Sequence, residues 1–127
     1  RDESMIEKAR ENIKRAGLEN TISVIAGDAG DVLKCLDKQY DMVFMDAAKG
    51  QYLEFLPDIM RMLRKGGLLV SDNVLYKGMV AEETLVARKK RTIVTNMREY
   101  LDEIASNGQL ETAKIPIGDG EALRYKK

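Results

Sequence analysis

The apolar positions of the chain change their spacing several times, and each change predicts a boundary between elements. Over residues 3–17 they recur every three or four positions, which predicts an amphipathic helix. Runs rich in β-branched and apolar residues at 21–26 and 40–45 predict two short buried strands. Between them, near 29–37, we expect a short helix. The helix at 3–17 carries its apolar residues at Met5, Ile6, Ala9, Ile13 and Ala16.

The second half of the chain continues the alternation of helix and strand. Helical spacing predicts a helix over 51–64, and the apolar run at 68–71 predicts a third strand. A long amphipathic helix is predicted over 84–106, followed by strands at 110–117 and 121–126. The apolar stripe of the long helix consists of Val86, Ile93, Val94, Met97, Tyr100, Leu101 and Ile104.

This order of elements indicates the fold class. Three strand-then-helix units favour a parallel sheet, and Gly118-Asp119-Gly120 between the last two strands is typical of a hairpin turn. We therefore predict one α/β domain over residues 1–127, with a sheet that is parallel at first and ends in an antiparallel hairpin.

Composition excludes several classes of function. The formal net charge is zero, so the molecule as a whole does not attract nucleic acid, and a local patch would be needed. The chain has no histidine, which excludes Ser-His-Asp catalysis and histidine-ligated zinc. Its single cysteine excludes an intrachain disulfide. The apolar runs are far shorter than the ~20 residues of a membrane span, so we expect no membrane partner and a cytoplasmic protein.

Polar side chains follow each of the three predicted parallel strands. Asp28 follows the first strand, Asp46 and Lys49 follow the second, and Asp72-Asn73 follows the third. Ligands of open α/β sheets bind at the carboxyl ends of such strands. Carboxylate and amide oxygens suit Mg²⁺, Mn²⁺ or Ca²⁺. The alternative is that each of these residues only caps a helix or begins a turn.

Three segments resemble a known family, the class I S-adenosylmethionine-dependent catechol and caffeoyl-CoA O-methyltransferases. Residues 45–52 are similar to its Asp-x-x-Lys-x-x-Tyr motif, and residues 66–78 to its Gly-Gly…Asp-Asn segment and the loop after it. Residues 115–120 resemble its closing hairpin. The resemblance covers almost the whole chain, and it implies a Rossmann-like methyltransferase sheet that lacks the family's first two strands.

The resemblance implies roles for the residues at the strand ends. Asp46, Asp72 and Asn73 match the ligands of a divalent cation, usually Mg²⁺. Lys49 matches the proposed general base, and a lysine beside a dication should have a lowered pKa. Tyr52 would lie near the metal, either in contact with substrate or packed in the interior.

Asp28 and Ala29 match the segment of the family that contacts the adenine of S-adenosylmethionine, and Asp46 is a further cofactor contact. A carboxylate there can accept a hydrogen bond from an amino group, although Asp28 can equally be a helix cap. The resemblance also implies a homodimer.

Within the family, the chain most resembles the bacterial enzymes that methylate 5-hydroxyuridine at the tRNA wobble position. The resemblance lies in residues 76–80 and 88–94, and it implies substrate contacts by Tyr76, Arg88, Lys89 and Arg91. A basic run can contact phosphates of the anticodon loop without reading bases. Alternatives are a small phenolic substrate, a solvated helix face partly neutralised by Glu82 and Glu83, a non-catalytic Rossmann-like module and, least favoured, a metal-dependent phosphoryl-transfer domain.

The chain begins at Arg1, and two parts of the family's cofactor site have no match in it. These are the glycine-rich turn after the first strand and the acidic residue after the second. We therefore expect residues 1–127 by themselves to be inactive and to bind S-adenosylmethionine weakly. Calorimetric titration of these 127 residues measures this, and micromolar affinity would show that the missing strands matter less than we argue.

Overall fold

The computed structural model describes residues 2–127, which form two compact units. The first unit ends at Leu36, and the second runs from Asp37 to Lys127. The prediction of a single domain over residues 1–127 stays a prediction. No helix among the described residues has the length and apolar character needed to cross a membrane. The helices are α1 (Glu3–Arg15), α2 (Ala29–Cys35), α3 (Tyr52–Met62) and α4 (Arg91–Ser106), and the strands are β1 (Tyr40–Met45), β2 (Leu63–Ser71), β3 (Leu110–Ile115) and β4 (Glu121–Lys126).

Over residues 2–36, the first unit contains α1 and α2 but no strand. Asp2 caps α1 by accepting a hydrogen bond from the backbone N–H of Met5, and no residue of that helix is buried. The strand predicted at 21–26 is wrong. Strand formation requires a partner for the backbone groups, and no described strand pairs with this segment, so β-branched side chains alone do not produce one.

The second unit contains a four-stranded mixed sheet in the order β1-β2-β4-β3. β1 and β2 are parallel, whereas β4 is antiparallel to both β2 and β3. The predicted change from parallel to antiparallel pairing is therefore confirmed. The third predicted strand begins earlier than expected, at Leu63, because Tyr40 pairs with Leu63 before the register shifts across a bulge to Met42 and Leu68.

Helices α3 and α4 pack on each other, and α3 also contacts β1 and β2. Their apolar faces form the core of this unit, and each fully buried side chain contributes about 1.5–3 kcal/mol. The buried residues of the two helices are Tyr52, Phe55, Leu56, Ile59, Met62, Val94, Met97, Tyr100, Leu101 and Ile104.

The long helix predicted over 84–106 begins only at Arg91. The preceding residues form two 3-10 turns, Glu83–Leu85 and Arg88–Lys90, joined by an extended link. Four consecutive cations at 88–91 lie at the positive end of the helix dipole, which disfavours extension of α4 toward its N-terminus.

The hairpin turn between β3 and β4 packs against the segment after β2. A Cβ added at Gly120, whose φ is +80°, would overlap the side chain of Leu75 at Cγ. Gly118, in the same turn, has φ +59° and no atom within 4 Å of such a Cβ.

We predict that Gly120→Ala lowers the free energy of unfolding by about 2–4 kcal/mol through backbone strain and overpacking. Gly118→Ala, which adds only backbone strain, should cost about 1 kcal/mol. Urea denaturation measures both, and equal losses would contradict the packing argument.

Candidate functional site

The parallel pairing of β1 and β2 brings two of the predicted site segments together. Met45 is the register partner of Ser71, and the backbone N–H of Asp72 donates to the carbonyl of Met45 over 3.1 Å. Asp46 and Asp72 therefore follow directly from adjacent strand ends, as the sequence predicted. Asn73 adopts φ 51°, a left-handed conformation that asparagine tolerates better than most residues.

Lys49 connects these strand ends through all three of its N–H donors. Its Nζ lies 3.0 Å from Oδ1 of Asp46, 2.7 Å from the hydroxyl of Tyr52 and 3.2 Å from the backbone carbonyl of Asp72. The 3-10 turn Lys49–Gln51 holds the lysine in this place, and the Asn96 side chain of α4 donates to the carbonyl of Gly50. The side chain of Lys49 is 13% exposed and that of Asp46 is 55% exposed, so the ion pair lies at the border between protein and solvent.

The protein groups around Lys49 set its pKa in the absence of a cation, and the lowered pKa expected beside a dication stays a prediction. Burial lowers the pKa of this ammonium, but the hydrogen bonds with Tyr52 and Asp46 together raise it above its ordinary value. Among the protein groups alone, Lys49 is therefore a firmly held ammonium. Burial likewise raises the pKa of Tyr52, against a smaller opposite effect of Lys49, so the phenol keeps its proton.

Tyr52 is fully buried, and its hydroxyl lies 2.9 Å from the carbonyl of Met45 and 3.1 Å from that of Asp72. The hydroxyl accepts from Lys49, and its single proton is shared between these two carbonyl oxygens, so it joins both strand ends to the lysine. The structure thus shows an internal role for Tyr52, and its contact with substrate stays a prediction.

A buried polar network lies beneath the strand ends, and the sequence analysis missed it. The Tyr52 ring packs edge-on against Tyr100 at 5.4 Å between centroids. The Tyr100 hydroxyl lies 2.5 Å from Oγ of Ser71, and Nη1 of Arg124 donates to both, over 2.8 and 3.0 Å. Burial lowers the pKa of Arg124 to about 10. An available signal was the alternation in β4, where Arg124 shares the inward face with Ala122.

The donor set at the strand ends fits a hard divalent cation. Asp46, Asp72 and Asn73 offer two carboxylates and one amide, the ligand types that Mg²⁺ prefers. Residues 2–127 contain no group of three or more acidic, histidine or cysteine side chains suited to a metal. A cation here would therefore take its remaining ligands from water or substrate, as Mg²⁺ commonly does.

Asp28 and Ala29 lie in the first unit, at the beginning of α2. A carboxylate oxygen of Asp28 accepts from the backbone N–H of Gly30 over 2.9 Å, so Asp28 is the N-cap of this helix. Ala29 is the first residue of α2 and is exposed. The structure shows the cap, and the adenine contact of both residues stays a prediction.

The basic run at 88–91 is exposed along its whole length. Nζ of Lys90 lies 6.0 Å from the ring centroid of Tyr76, which brings Tyr76 close to this run. Glu82 accepts from Thr84, and Glu83 pairs with Arg98 over 2.7 Å, so these contacts do not join either glutamate to the run. Over the part of the chain that the structure describes, no hydrogen bond or ion pair involves the side chains of Arg88, Lys89 or Arg91.

We predict that Tyr52→Phe lowers the free energy of unfolding by about 1–3 kcal/mol, because it leaves Lys49 and two carbonyl oxygens short of a partner. Thermal or urea denaturation measures the change. The matched control is Tyr125→Phe, since Tyr125 is 49% exposed, and a change within about 0.5 kcal/mol is expected there. Equal effects of the two substitutions would show that the Tyr52 hydroxyl contributes nothing specific.

Comparison with known proteins shows which family the chain resembles in sequence. The family model described as O-methyltransferase matches residues 1–127. A caffeoyl-CoA O-methyltransferase from Populus kitakamiensis is 33% identical over 118 residues, which is 87% of this chain and 50% of that protein. A catechol O-methyltransferase from Niastella koreensis is 39% identical over 79 residues, 59% of this chain and 36% of that protein. The chain thus spans about half the length of the curated relatives it matches.

Solved structures agree with the fold. A crystal structure from Staphylococcus aureus, assigned provisionally to the caffeoyl-CoA O-methyltransferases, superposes with a TM-score of 0.90 at 34% identity and covers 100% of this chain and 62% of its own. The methyltransferase TomG from Streptomyces achromogenes, solved with S-adenosylmethionine, has a TM-score of 0.86 at 25% identity over 99% of this chain and 59% of its own. The predicted Rossmann-like methyltransferase fold is confirmed, and the chain belongs to the O-methyltransferase family.

Proposed function

We propose that the protein containing this chain transfers a methyl group from S-adenosylmethionine to an acceptor hydroxyl at the ends of β1 and β2. The observation that carries the proposal is the convergence of Asp46, Lys49 and Asp72 in one contact group. Family membership supports the same chemistry, since the matched relatives are named for O-methyl transfer.

The reaction requires an acceptor oxygen aligned behind the methyl carbon. As the oxygen–carbon bond forms, the sulfur–carbon bond breaks, and S-adenosylhomocysteine leaves. Most of the gain from such a site comes from positioning the two reactants. A Mg²⁺ ion held by Asp46, Asp72 and Asn73 would lower the pKa of the acceptor hydroxyl when bound.

Lys49 has two possible roles in this scheme. A general base must be a neutral amine before it accepts the hydroxyl proton. The contacts with Tyr52 and Asp46 raise the pKa of Lys49 instead, which favours an ammonium. As an ammonium, Lys49 would stabilise the acceptor oxyanion. Beside a dication held by Asp46 and Asp72 its pKa would fall, and it would accept the hydroxyl proton as the general base.

For the acceptor, we propose 5-hydroxyuridine at the wobble position of tRNA, which would become 5-methoxyuridine. The support is the exposed basic run at 88–91, together with Tyr76 beside Lys90. Its charges lie at the N-terminus of α4, where the helix dipole adds to the attraction for a phosphate. An unpaired loop base can leave its stack and enter a pocket, so a wobble base is accessible to such a site.

A small phenolic hydroxyl is the second candidate acceptor. The names of the matched relatives support it, since they include caffeoyl-CoA and catechol O-methyltransferases. A free catechol does not require the basic run, whereas the phosphates of a coenzyme A ester would also be attracted to it, so the comparison is between tRNA and a free catechol. The two acceptors therefore differ in whether Arg88, Lys89 and Arg91 contribute.

We predict that reversing three charges, with Arg88→Glu, Lys89→Glu and Arg91→Glu combined, lowers methylation of tRNA about tenfold or more, because phosphate contacts are lost. Methylation of a small catechol should change little. The assay measures methyl transfer from labelled S-adenosylmethionine by the whole protein that contains this chain. Lys90 is retained because it contacts Tyr76.

The matched control reverses three other exposed lysines, Lys38, Lys65 and Lys114, which gives the same change in net charge. Equal loss of tRNA methylation in both variants would argue for a general effect of charge and against a contact at 88–91. Asp72→Ala tests transfer itself, and undiminished methylation of both acceptors by this variant would contradict the proposed site.

A further inference from the structure

We propose that Arg98 is a positioning residue, which holds the loop of residues 74–83 in the conformation that presents Tyr76 and Lys77 to the acceptor. The part of this proposal that concerns contact between the loop and the acceptor rests on the proposed methyl transfer. How the loop is held depends only on contacts within the second unit.

One guanidinium makes three separate contacts with this loop. From α4, Nε of Arg98 donates to the carbonyl of Val80 over 3.0 Å, and Nη2 donates to that of Met79 over 3.1 Å. Nη1 donates to a carboxylate oxygen of Glu83 over 2.7 Å. The planar fork of arginine has donors in the directions that these three acceptors require, whereas lysine offers a single nitrogen.

The loop needs such contacts because its backbone conformation is unfavourable by itself. Tyr76 and Lys77 have φ values of 47° and 59°, in the left-handed region that side chains disfavour. At its other end the loop is held by the hairpin turn, where Asp119 accepts from the backbone N–H groups of Leu75 and Lys77. The hairpin turn thus holds the loop at Leu75 and Lys77, on either side of Tyr76, and Arg98 holds it at Met79 and Val80.

The place of the loop connects it to the site. It begins one residue after Asn73, the last of the predicted metal ligands, and its Tyr76 ring faces Nζ of Lys90. Movement of the loop would therefore displace Tyr76 without altering Lys49 or Asp46. An acceptor that contacts the loop would bind more weakly, while the chemical step would proceed as before once the acceptor is bound.

The first arm of the experiment measures hydrogen exchange of the loop amides by mass spectrometry, in the protein as the cell makes it. We expect Arg98→Lys to raise exchange in residues 79–82 about tenfold, since local opening becomes easier. Glu83→Gln removes only the ion pair and should give a smaller rise. Arg64→Lys is the matched control, because Arg64 pairs with exposed Asp41 and has no contact with the loop.

The second arm measures methyl transfer as a function of acceptor concentration. Arg98→Lys should raise the KM for the acceptor about tenfold and leave kcat within about twofold, the pattern of lost binding that is equal in ground and transition states. A drop in kcat with unchanged KM would overturn the proposal, as would unchanged loop exchange. Faster exchange with unchanged KM would also overturn it.

The two arms separate failure of this inference from failure of the proposed function. If the unmodified protein methylates neither tRNA nor a catechol, the proposed function fails, and exchange still decides whether Arg98 holds the loop. If Arg98→Lys does not fold, Glu83→Gln provides the test, and unchanged loop exchange in that variant counts against the proposal.

Discussion

Parallel pairing of β1 with β2 is the constraint on which the candidate site depends. Because Met45 and Ser71 are register partners, the residues that follow them leave the sheet at the same edge. The backbone bond from Asp72 to the carbonyl of Met45 extends this pairing by one step beyond the strands. Residues 26 positions apart in sequence thereby share one contact group, and a slip of register would separate them.

The pKa values of Arg124 and Lys49, two cations near this edge, shift in opposite directions. Burial lowers the pKa of each side chain and its partners raise it, but the balance between the two effects differs. Arg124 is fully buried with few partners, so desolvation dominates and lowers its pKa. Lys49 is also partly desolvated, but three acceptors surround it, and its pKa is raised. Tyr100 and Tyr52 lie between the two cations and connect the inside of the sheet to its edge. The polar network thus supports the strand ends from beneath.

The loop after β2 shows how tertiary contacts sustain an unfavourable backbone. Left-handed residues persist only where the surrounding structure determines their conformation. Here the surroundings are the hairpin turn at Asp119 on one side and Arg98 of α4 on the other. The segment proposed to face the substrate is therefore in contact with two distant parts of the chain.

Much of this protein followed from local sequence signals. Spacing of apolar residues predicted α1, α3 and α4, although α4 begins later than expected because of the cations at 88–91. It also predicted β1, β3 and β4 closely, and motif resemblance pointed to Asp46, Lys49 and Asp72. These features are predictable because helix periodicity, strand alternation and residues after strands are properties of neighbouring positions.

Tertiary structure alone decided the rest. The segment at 21–26 has the composition of a strand but no partner, since pairing is a long-range event that composition does not specify. The early start of β2 depends on pairing with Tyr40. The balance of effects on Lys49, the burial of Arg124 and the attachment of the loop by Arg98 all arise between residues far apart in sequence. The local sequence pattern determined which helices and strands form and which side chains can act as ligands. Long-range packing determined which of these elements and side chains come into contact.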